Sequence, residues 1–168
     1  KLKEMGIKET IMLSGDNSST AKRVGQMVGI DEVYGDLLPE EKVAKLEGIL
    51  EKTRGKVAFV GDGVNDAPVL ARADIGIAMG ALGSDAAIEA ADIVILTDEI
   101  SKISTGIKIA KRTKRIVTQN IVLAIGLKFI VLALGAMGMA TMWQAVFADV
   151  GVSIIAILNS IRILKVED

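Results

Sequence analysis

Cysteine and histidine are both absent from the 168 residues. That rules out a disulfide framework, and it rules out any thiolate or imidazole metal site built from this chain alone. Acid and base nearly cancel, at 21 Asp and Glu against 20 Lys and Arg, for a net charge of −1. The balance hides an asymmetry, because Lys108 to Arg115 (KIAKRTKR) holds five cations and no acid. Aromatic residues make up only 3% of the chain. The basic run therefore has no aromatic neighbours to stack bases and leads straight into an apolar segment, which argues against a nucleic-acid surface. Proline occurs twice, at Pro39 and Pro68, each time where a helical pattern opens. The amino end, KLKEMGIKE, carries no signal-peptide pattern. Apolar residues, in contrast, are plentiful. They reach 51% with a mean hydropathy of +0.46, too high for an ordinary soluble domain of this length, so part of the chain prefers lipid.

The first hundred residues alternate short apolar runs with helical patterns. Thr10 to Leu13 predicts a strand, which Ser14-Gly15-Asp16-Asn17 breaks before a helix over about 18–28 that Gly29 ends. Val33 and Tyr34 predict a short strand. Pro39-Glu40-Glu41 opens an amphipathic helix with Val43, Leu46, Ile49 and Leu50 at helical spacing and acids in its first turn. Further strands are predicted at 57–60, 75–79 and 93–96, separated by helices to about Arg72 and through 85–90. Such alternation predicts a parallel sheet with both faces covered.

Lys56 to Leu70 (KVAFVGDGVNDAPVL) is the most informative stretch. A strand delivers the chain into a loop in which Asp62 and Asp66 stand four positions apart, and Asp66 falls where a helix N-cap belongs. Two carboxylates near a phosphate suit Mg²⁺, a hard cation held by one or two carboxylates plus substrate oxygens. Ligands of parallel sheets bind beyond the carboxyl ends of the strands, and there Ser14, Asp16, Asp62 and Asp66 converge. A hydroxyl and carboxylates of this kind suit phosphoryl transfer. Lys42, at the start of its helix, could neutralise a phosphoryl oxygen. On spacing alone Lys42 reads more readily as an ordinary surface lysine, and Ser14-Gly15-Asp16 equally well as a plain capped turn.

Four strings in fixed order carry a resemblance: SGD at 14–16, LPEEK ending at Lys42, GDGVNDAPVL at 61–70 and MGALGSDAAIEAADIV at 79–94. Together they resemble the carboxyl-terminal half of the phosphorylation domain of P-type ATPases, within the haloacid dehalogenase-like superfamily. The resemblance implies a Rossmann-like α/β fold with Asp62 as Mg²⁺ ligand. It also implies that Asn65 and Asp66 order metal and phosphoryl group, that Lys42 contacts the phosphoryl group, and that Ser14 and Asp16 line the phosphate side of the cleft. Ser14 stands where the family more often has threonine, and Val69 where alanine is common. The family's nucleophilic aspartate lies in a DKTG string, and no aspartate here is followed by Lys-Thr-Gly. The expectation is a carboxyl-terminal fragment of a larger pump that by itself turns over no ATP.

After the basic run, 116–138 and 142–164 are each long enough to cross a bilayer, which takes about 20 residues for about 30 Å. Their connection, 139–141, predicts a hairpin with both ends on one side. Lys108 to Arg115, Arg162 and Lys165 place that side in the cytoplasm by the positive-inside rule. Trp143 is an interface anchor near the outer turn. Lys128 and Asp149 interrupt the two segments, roughly 15 Å and roughly 12 Å from the turn, a similar depth. Each charge costs at least about 2.5 kcal/mol there if unpaired. A salt bridge that only locks the two helices together, with no transport role, is the lesser alternative.

QNIVLAIGLKF at 119–129 and FADVGVSIIAILNSIRIL at 147–164 resemble the last two helices of the zinc-, cadmium- and lead-exporting branch of the heavy-metal pumps; the signature of the copper exporters is missing. That resemblance implies Asp149 as a ligand for the transported divalent ion (Zn²⁺, Cd²⁺ or Pb²⁺) and Lys128 as its counter-charge. ATP and Mg²⁺ would serve the intact pump. The partners would be membrane lipid, the transported ion and the remainder of the pump, with its nucleophile, nucleotide domain and cysteine-bearing helix. The expected layout is a partial phosphorylation domain over 1–107, a basic juxtamembrane linker over 108–115 and a transmembrane hairpin over 116–168, in a multi-pass protein of the cell membrane with its phosphorylation domain in the cytoplasm. Two other readings fit parts of the sequence: a membrane-anchored phosphatase of the same superfamily, and a non-catalytic membrane partner without the nucleophile. Upstream sequence containing DKTG separates them from the pump.

Overall fold

The computed structural model describes residues 2–61, 64–80, 85–97 and 99–164. Two compact units divide the chain, Lys1–Ile103 and Ser104–Asp168.

The first unit is α/β throughout. Its elements are β1 (Ile11–Leu13), α1 (Ser18–Val28), β2 (Glu32–Tyr34), α2 (Pro39–Lys52), β3 (Ala58–Gly61), α3 (Ala67–Arg72), β4 (Ile75–Met79), α4 (Asp85–Ala90) and β5 (Ile93–Ile95). Local chemistry sets the helix ends. Asn17 accepts from the Ser19 amide to start α1, and Gly29, in the left-handed region, closes it. Pro39 opens α2, and the Glu41 carboxylate reaches back to the Leu38 amide at 2.8 Å.

Every strand pair is parallel, but the sheet stands in two pieces. β1 pairs with β2 (Ile11 opposite Glu32, Leu13 opposite Tyr34), and β3, β4 and β5 form a second sheet in that order. Among the described strands none lies between β1 and β3. A groove of about 520 Å³ separates these two edges, lined by Ile11 and Leu13 on one side, Ala58 and Phe59 on the other, and Leu46 and Ile49 of α2. One buried cluster lies on the three-stranded piece, where Leu70, Ala78 and Ala87 are enclosed by Phe59, Ala90, Ala91 and Val94. Asp74 ties β3 to β4 by accepting from the Val57 amide at 3.0 Å and pairing with Lys56 at 2.6 Å.

Asp31 plays the corresponding part beside β1. It accepts from the Thr10 amide (2.9 Å) and hydroxyl (2.8 Å) and pairs with Lys3. The Lys3 ammonium first, then the Thr10 donors, hold its carboxyl at about 2, below the ordinary 3.8. A carboxyl depressed in the folded state contributes stability that is complete above its unfolded value and disappears as pH falls towards the folded one. Asp31→Asn is therefore expected to lower the stability of the first unit above pH about 4, with the gap closing by about pH 2. Denaturation curves of the two proteins that differ by the same amount at pH 2 and pH 6 would contradict this.

The second unit is a helical hairpin, α5 (Ser101–Ala136) and α6 (Met142–Ile161), with a last turn of 3₁₀ helix at Arg162–Leu164. α5 begins in the first unit. Both helices are long and apolar enough to cross a membrane. At 1.5 Å per residue α5 is about 54 Å long, well beyond a hydrocarbon layer of about 30 Å. The basic residues 108–115 lie inside this one helix, because 101–115 contain no proline and no acid and are rich in Lys, Arg and Ile. At the far end Gly138 takes a left-handed φ of 70° in the turn, and Thr141 starts α6 with Gln144 in a reciprocal cap. Lys165 falls outside the described residues.

Candidate functional site

In the first unit the polar side chains gather at the carboxyl ends of β1 and β3. After β1 the Ser14 hydroxyl accepts from the Asp16 amide at 3.1 Å, so the SGD string closes on itself as a turn. The segment after β2 braces it: the Ser14 amide donates to the Tyr34 carbonyl (2.9 Å), the Leu37 amide to the Ser14 carbonyl (3.1 Å) and the Asp36 amide to the Asp16 carbonyl (2.7 Å). Asp36, at φ 57°, accepts from the Ser18 amide at 3.0 Å and so occupies the start of α1. The Ser18 hydroxyl first, then its amide, draw the Asp36 carboxyl below the ordinary range. Gly35 makes the approach possible, since a Cβ there would lie 2.6 Å from Ser18 Cα. Asp36 was not among the sequence-predicted residues, and its only signal is its place before LLPEEK.

After β3 the structure joins Lys42 to Asp66. Lys42 Nζ lies 2.9 Å from Asp66 Oδ1, with the side chains only 16% and 13% exposed. Two elements distant in sequence meet in this pair, the first turn of α2 and the junction of the loop with α3. Gly61 makes room for it. A Cβ on Gly61 would stand 2.9 Å from Asp66 Cβ and 3.1 Å from Asp66 Oδ2, so any side chain at 61 would push the carboxylate away. Asn65 is exposed beside the pair. Asp62 lies outside the described residues. No hydrogen bond or ion pair links Ser14 or Asp16 to Lys42 or Asp66 among the described residues.

Chemically, the Lys42 ammonium has three donors and spends one on Asp66, leaving two for an anionic oxygen. Asp66 holds the ammonium in place and keeps lone pairs free. Among the described residues no group of three or more His, Cys, Asp or Glu forms a metal cage. A sparse, all-oxygen donor set of this kind fits Mg²⁺, which takes one or two carboxylates and relies on substrate phosphates for the rest.

The second unit holds a different centre. Lys128 Nζ of α5 lies 3.4 Å from Asp149 Oδ1 of α6. The pair sits in a cleft of about 560 Å³ otherwise lined by apolar or small residues, among them Ala124, Leu127, Val131, Gly135, Ala145 and Ala148. The side chains remain 71% and 63% exposed, so the hairpin brings the charges together without enclosing them. A second polar group ties the same helices nearer their other ends. Asn120 Nδ2 donates to the Ala156 carbonyl (3.2 Å) and the Ser160 hydroxyl (3.0 Å), and Asn159 Nδ2 donates to Asn120 Oδ1 (2.8 Å) and Gln119 Oε1 (3.2 Å). Sequence reasoning passed over these amides, although polar side chains within apolar helices were the available signal.

The chain is similar to known proteins along its whole length. A family model for haloacid dehalogenase-like hydrolases matches residues 1–74. The cadmium, zinc and cobalt-transporting ATPase of Bacillus subtilis (strain 168) is 58% identical over 99% of this chain, and the zinc-transporting ATPase of Synechocystis sp. is 57% identical over 98%. The chain spans about a quarter of the length of these curated relatives, 24% and 23%. Among solved structures, a zinc-transporting PIB-type ATPase in the E2.Pi state superposes on 98% of this chain with a TM-score of 0.89 and 37% identity, the match covering 26% of that protein. Together, a haloacid dehalogenase-like unit, a hairpin with membrane-capable helices and similarity that runs through both place the chain in the PIB branch of the P-type ATPases, where it matches one segment of those longer proteins.

Proposed function

We propose that this chain supplies two working parts of an ATP-driven exporter of divalent heavy-metal ions in the cell membrane: the cation-binding half of its phosphorylation site and one carboxylate of its transport site. The observation that carries this reading is the Lys128–Asp149 pair, exposed on two helices long enough to cross a bilayer. Charges at that depth do not face hydrocarbon and instead mark an ion pathway or a protein-lined cavity. Asp149, a hard oxygen ligand, suits Zn²⁺ or Cd²⁺, with Pb²⁺ a further candidate, better than Cu⁺. Lys128 takes over the carboxylate when the ion has left. The cytoplasm is the proposed side of the first unit, where ATP is found.

In the phosphorylation unit, Asp62 and Asp66, assisted by Asn65, would hold Mg²⁺, which neutralises phosphoryl charge when bound. Lys42 presents its two spare donors to the phosphoryl oxygens, while Ser14 and Asp16 line the other wall of the cleft. The rest of the pump brings the nucleophilic aspartate and the nucleotide domain. The groove between β1 and β3 fits an additional parallel strand from that remainder: it runs between two strand edges and is floored by Leu46 and Ile49. Residues 1–107 then form part of the phosphorylation domain, 108–115 the juxtamembrane basic stretch and 116–168 the transmembrane hairpin.

Asp62→Asn in the intact protein is the test of the phosphorylation half. It should abolish the acid-stable phosphoenzyme or its dependence on Mg²⁺, and ATP turnover at the wild-type rate with the wild-type Mg²⁺ requirement would overturn the assignment. The chain purified alone should show no steady ATP turnover.

A further inference from the structure

We infer that Asn120 is a positioning residue for the transport site: with Asn159 and Ser160 it fixes the register of α6 against α5, and that register sets Asp149 beside Lys128. The inference rests on the proposed transport role of Asp149. In an antiparallel helix pair, a step forward along one helix is matched by an equal step backward along the other. Asn120 bonds to Ala156, Asn159 and Ser160. Eight residues on along α5 stands Lys128, and eight residues back from 156–160 lie positions 148–152, which include Asp149. The two polar contacts therefore belong to one register, about 12 Å apart along α5.

Asn120 is also the amide at which the network closes. Both its N–H groups are donated across the hairpin, and its oxygen accepts from Asn159. The Asn159 oxygen in turn accepts from Arg162 at 2.9 Å, so it does not turn freely. A slip of α6 by one residue would move Asp149 about 1.5 Å along the axis and about 100° around it. That is enough to break a contact of 3.4 Å. The turn at Gly138 holds the opposite end, and the amide cluster keeps the two helices from rotating below it.

The test uses the intact pump in detergent–lipid micelles, with Zn²⁺-stimulated ATPase measured against free Zn²⁺. Asn120→Ala should raise the half-saturating Zn²⁺ concentration about three- to tenfold, the range expected for losing interhelical hydrogen bonds of this kind. The maximal rate per phosphorylatable enzyme should stay within about twofold. A merely stabilising role would lower the yield of active enzyme and the melting temperature with half-saturation unchanged, and that result would overturn the inference. Asn159→Ala, which removes one partner and leaves Asn120 in place, should shift half-saturation in the same direction by less. It decides the matter if Asn120→Ala fails to fold: unchanged half-saturation there overturns the inference as well. Asp149→Ala is assayed in parallel. Full Zn²⁺ stimulation in that variant would sink the transport-site reading itself, whereas its loss combined with unshifted asparagine variants would sink only the positioning role.

Discussion

Replacing Asp149 by alanine in the intact pump is expected to reduce metal-stimulated ATP hydrolysis by at least about 100-fold, while phosphoenzyme formation from inorganic phosphate persists. The magnitude follows from what the substitution removes. Asp149 is the only acid in α5 or α6, so no neighbouring carboxylate on the hairpin can take its place as an oxygen ligand. Each factor of ten costs about 1.4 kcal/mol, and loss of one charged ligand from a low-dielectric site exceeds two such factors. The variant also leaves Lys128 without the partner it holds at 3.4 Å. Asp149→Ala should therefore be less stable in the membrane than the double variant Asp149→Ala/Lys128→Ala, because the second substitution removes the stranded ammonium. Lys128→Ala alone should keep the ability to bind Zn²⁺ and lose the internal charge that competes with it, so its signature is slower release and a lower maximal rate. Equilibrium Zn²⁺ binding and steady-state turnover, measured on all three variants, distinguish these outcomes. Wild-type turnover in Asp149→Ala would refute the ligand role.

The two centres differed in how far the sequence revealed them. α1 and α2 were legible because their ends are written locally: Asn17 and Gly29 for the first, Pro39 and Glu41 for the second. β3 and β4 were legible as apolar runs stopped by glycine or aspartate. The division of the sheet was not, because strand order depends on which edges meet, and the β1–β2 and β3–β4–β5 pairings lie outside any local pattern. The amino-terminal extent of α5 is hidden in the sequence for a related reason. A dense basic run resembles a linker, yet Lys and Arg are good helix formers, and with no acid or proline to interrupt it the helix starts at Ser101. Asp62 and Asp66 stood out because two carboxylates follow a strand within five residues. Gly61 and Asp36 act only by where the backbone puts them: one clears space for a carboxylate, and the other caps a helix eighteen residues earlier in the chain. Depth arithmetic brought Lys128 and Asp149 to a similar level, but which faces of the helices meet is decided partly by the Asn120 amide, and the sequence shows only that it is polar.

Lys42→Ala is expected to slow phosphoryl transfer in the intact pump by about 10²- to 10³-fold, the range for removing one preorganised group that faces developing charge. The ammonium is well suited to that role because its position is already fixed. Asp66 holds it at 2.9 Å with both side chains mostly out of solvent, so little reorganisation is needed when a phosphoryl group arrives. Lys42→Arg restores the charge but not the compact three-donor head, and a planar fork reaching Asp66 directs its remaining N–H groups differently. Partial recovery, well short of wild type, is expected. Asp66→Ala releases the ammonium as well as removing a carboxylate from the proposed cation site, so it should be at least as severe as Lys42→Ala. Because the two side chains work as one unit, the double variant should be no slower than the worse single variant, whereas independent contributions would multiply. Gly61→Ala supplies a subtler version of the same perturbation. It keeps both charges but drives a methyl group within 2.9 Å of Asp66 Cβ, so it should lose activity without loss of either ionisable group. Phosphoenzyme formation and decay, followed by rapid quench in each variant, measure these effects. Multiplicative losses in the Lys42/Asp66 double variant would show that the ion pair is structural and that the two residues act separately in the chemistry.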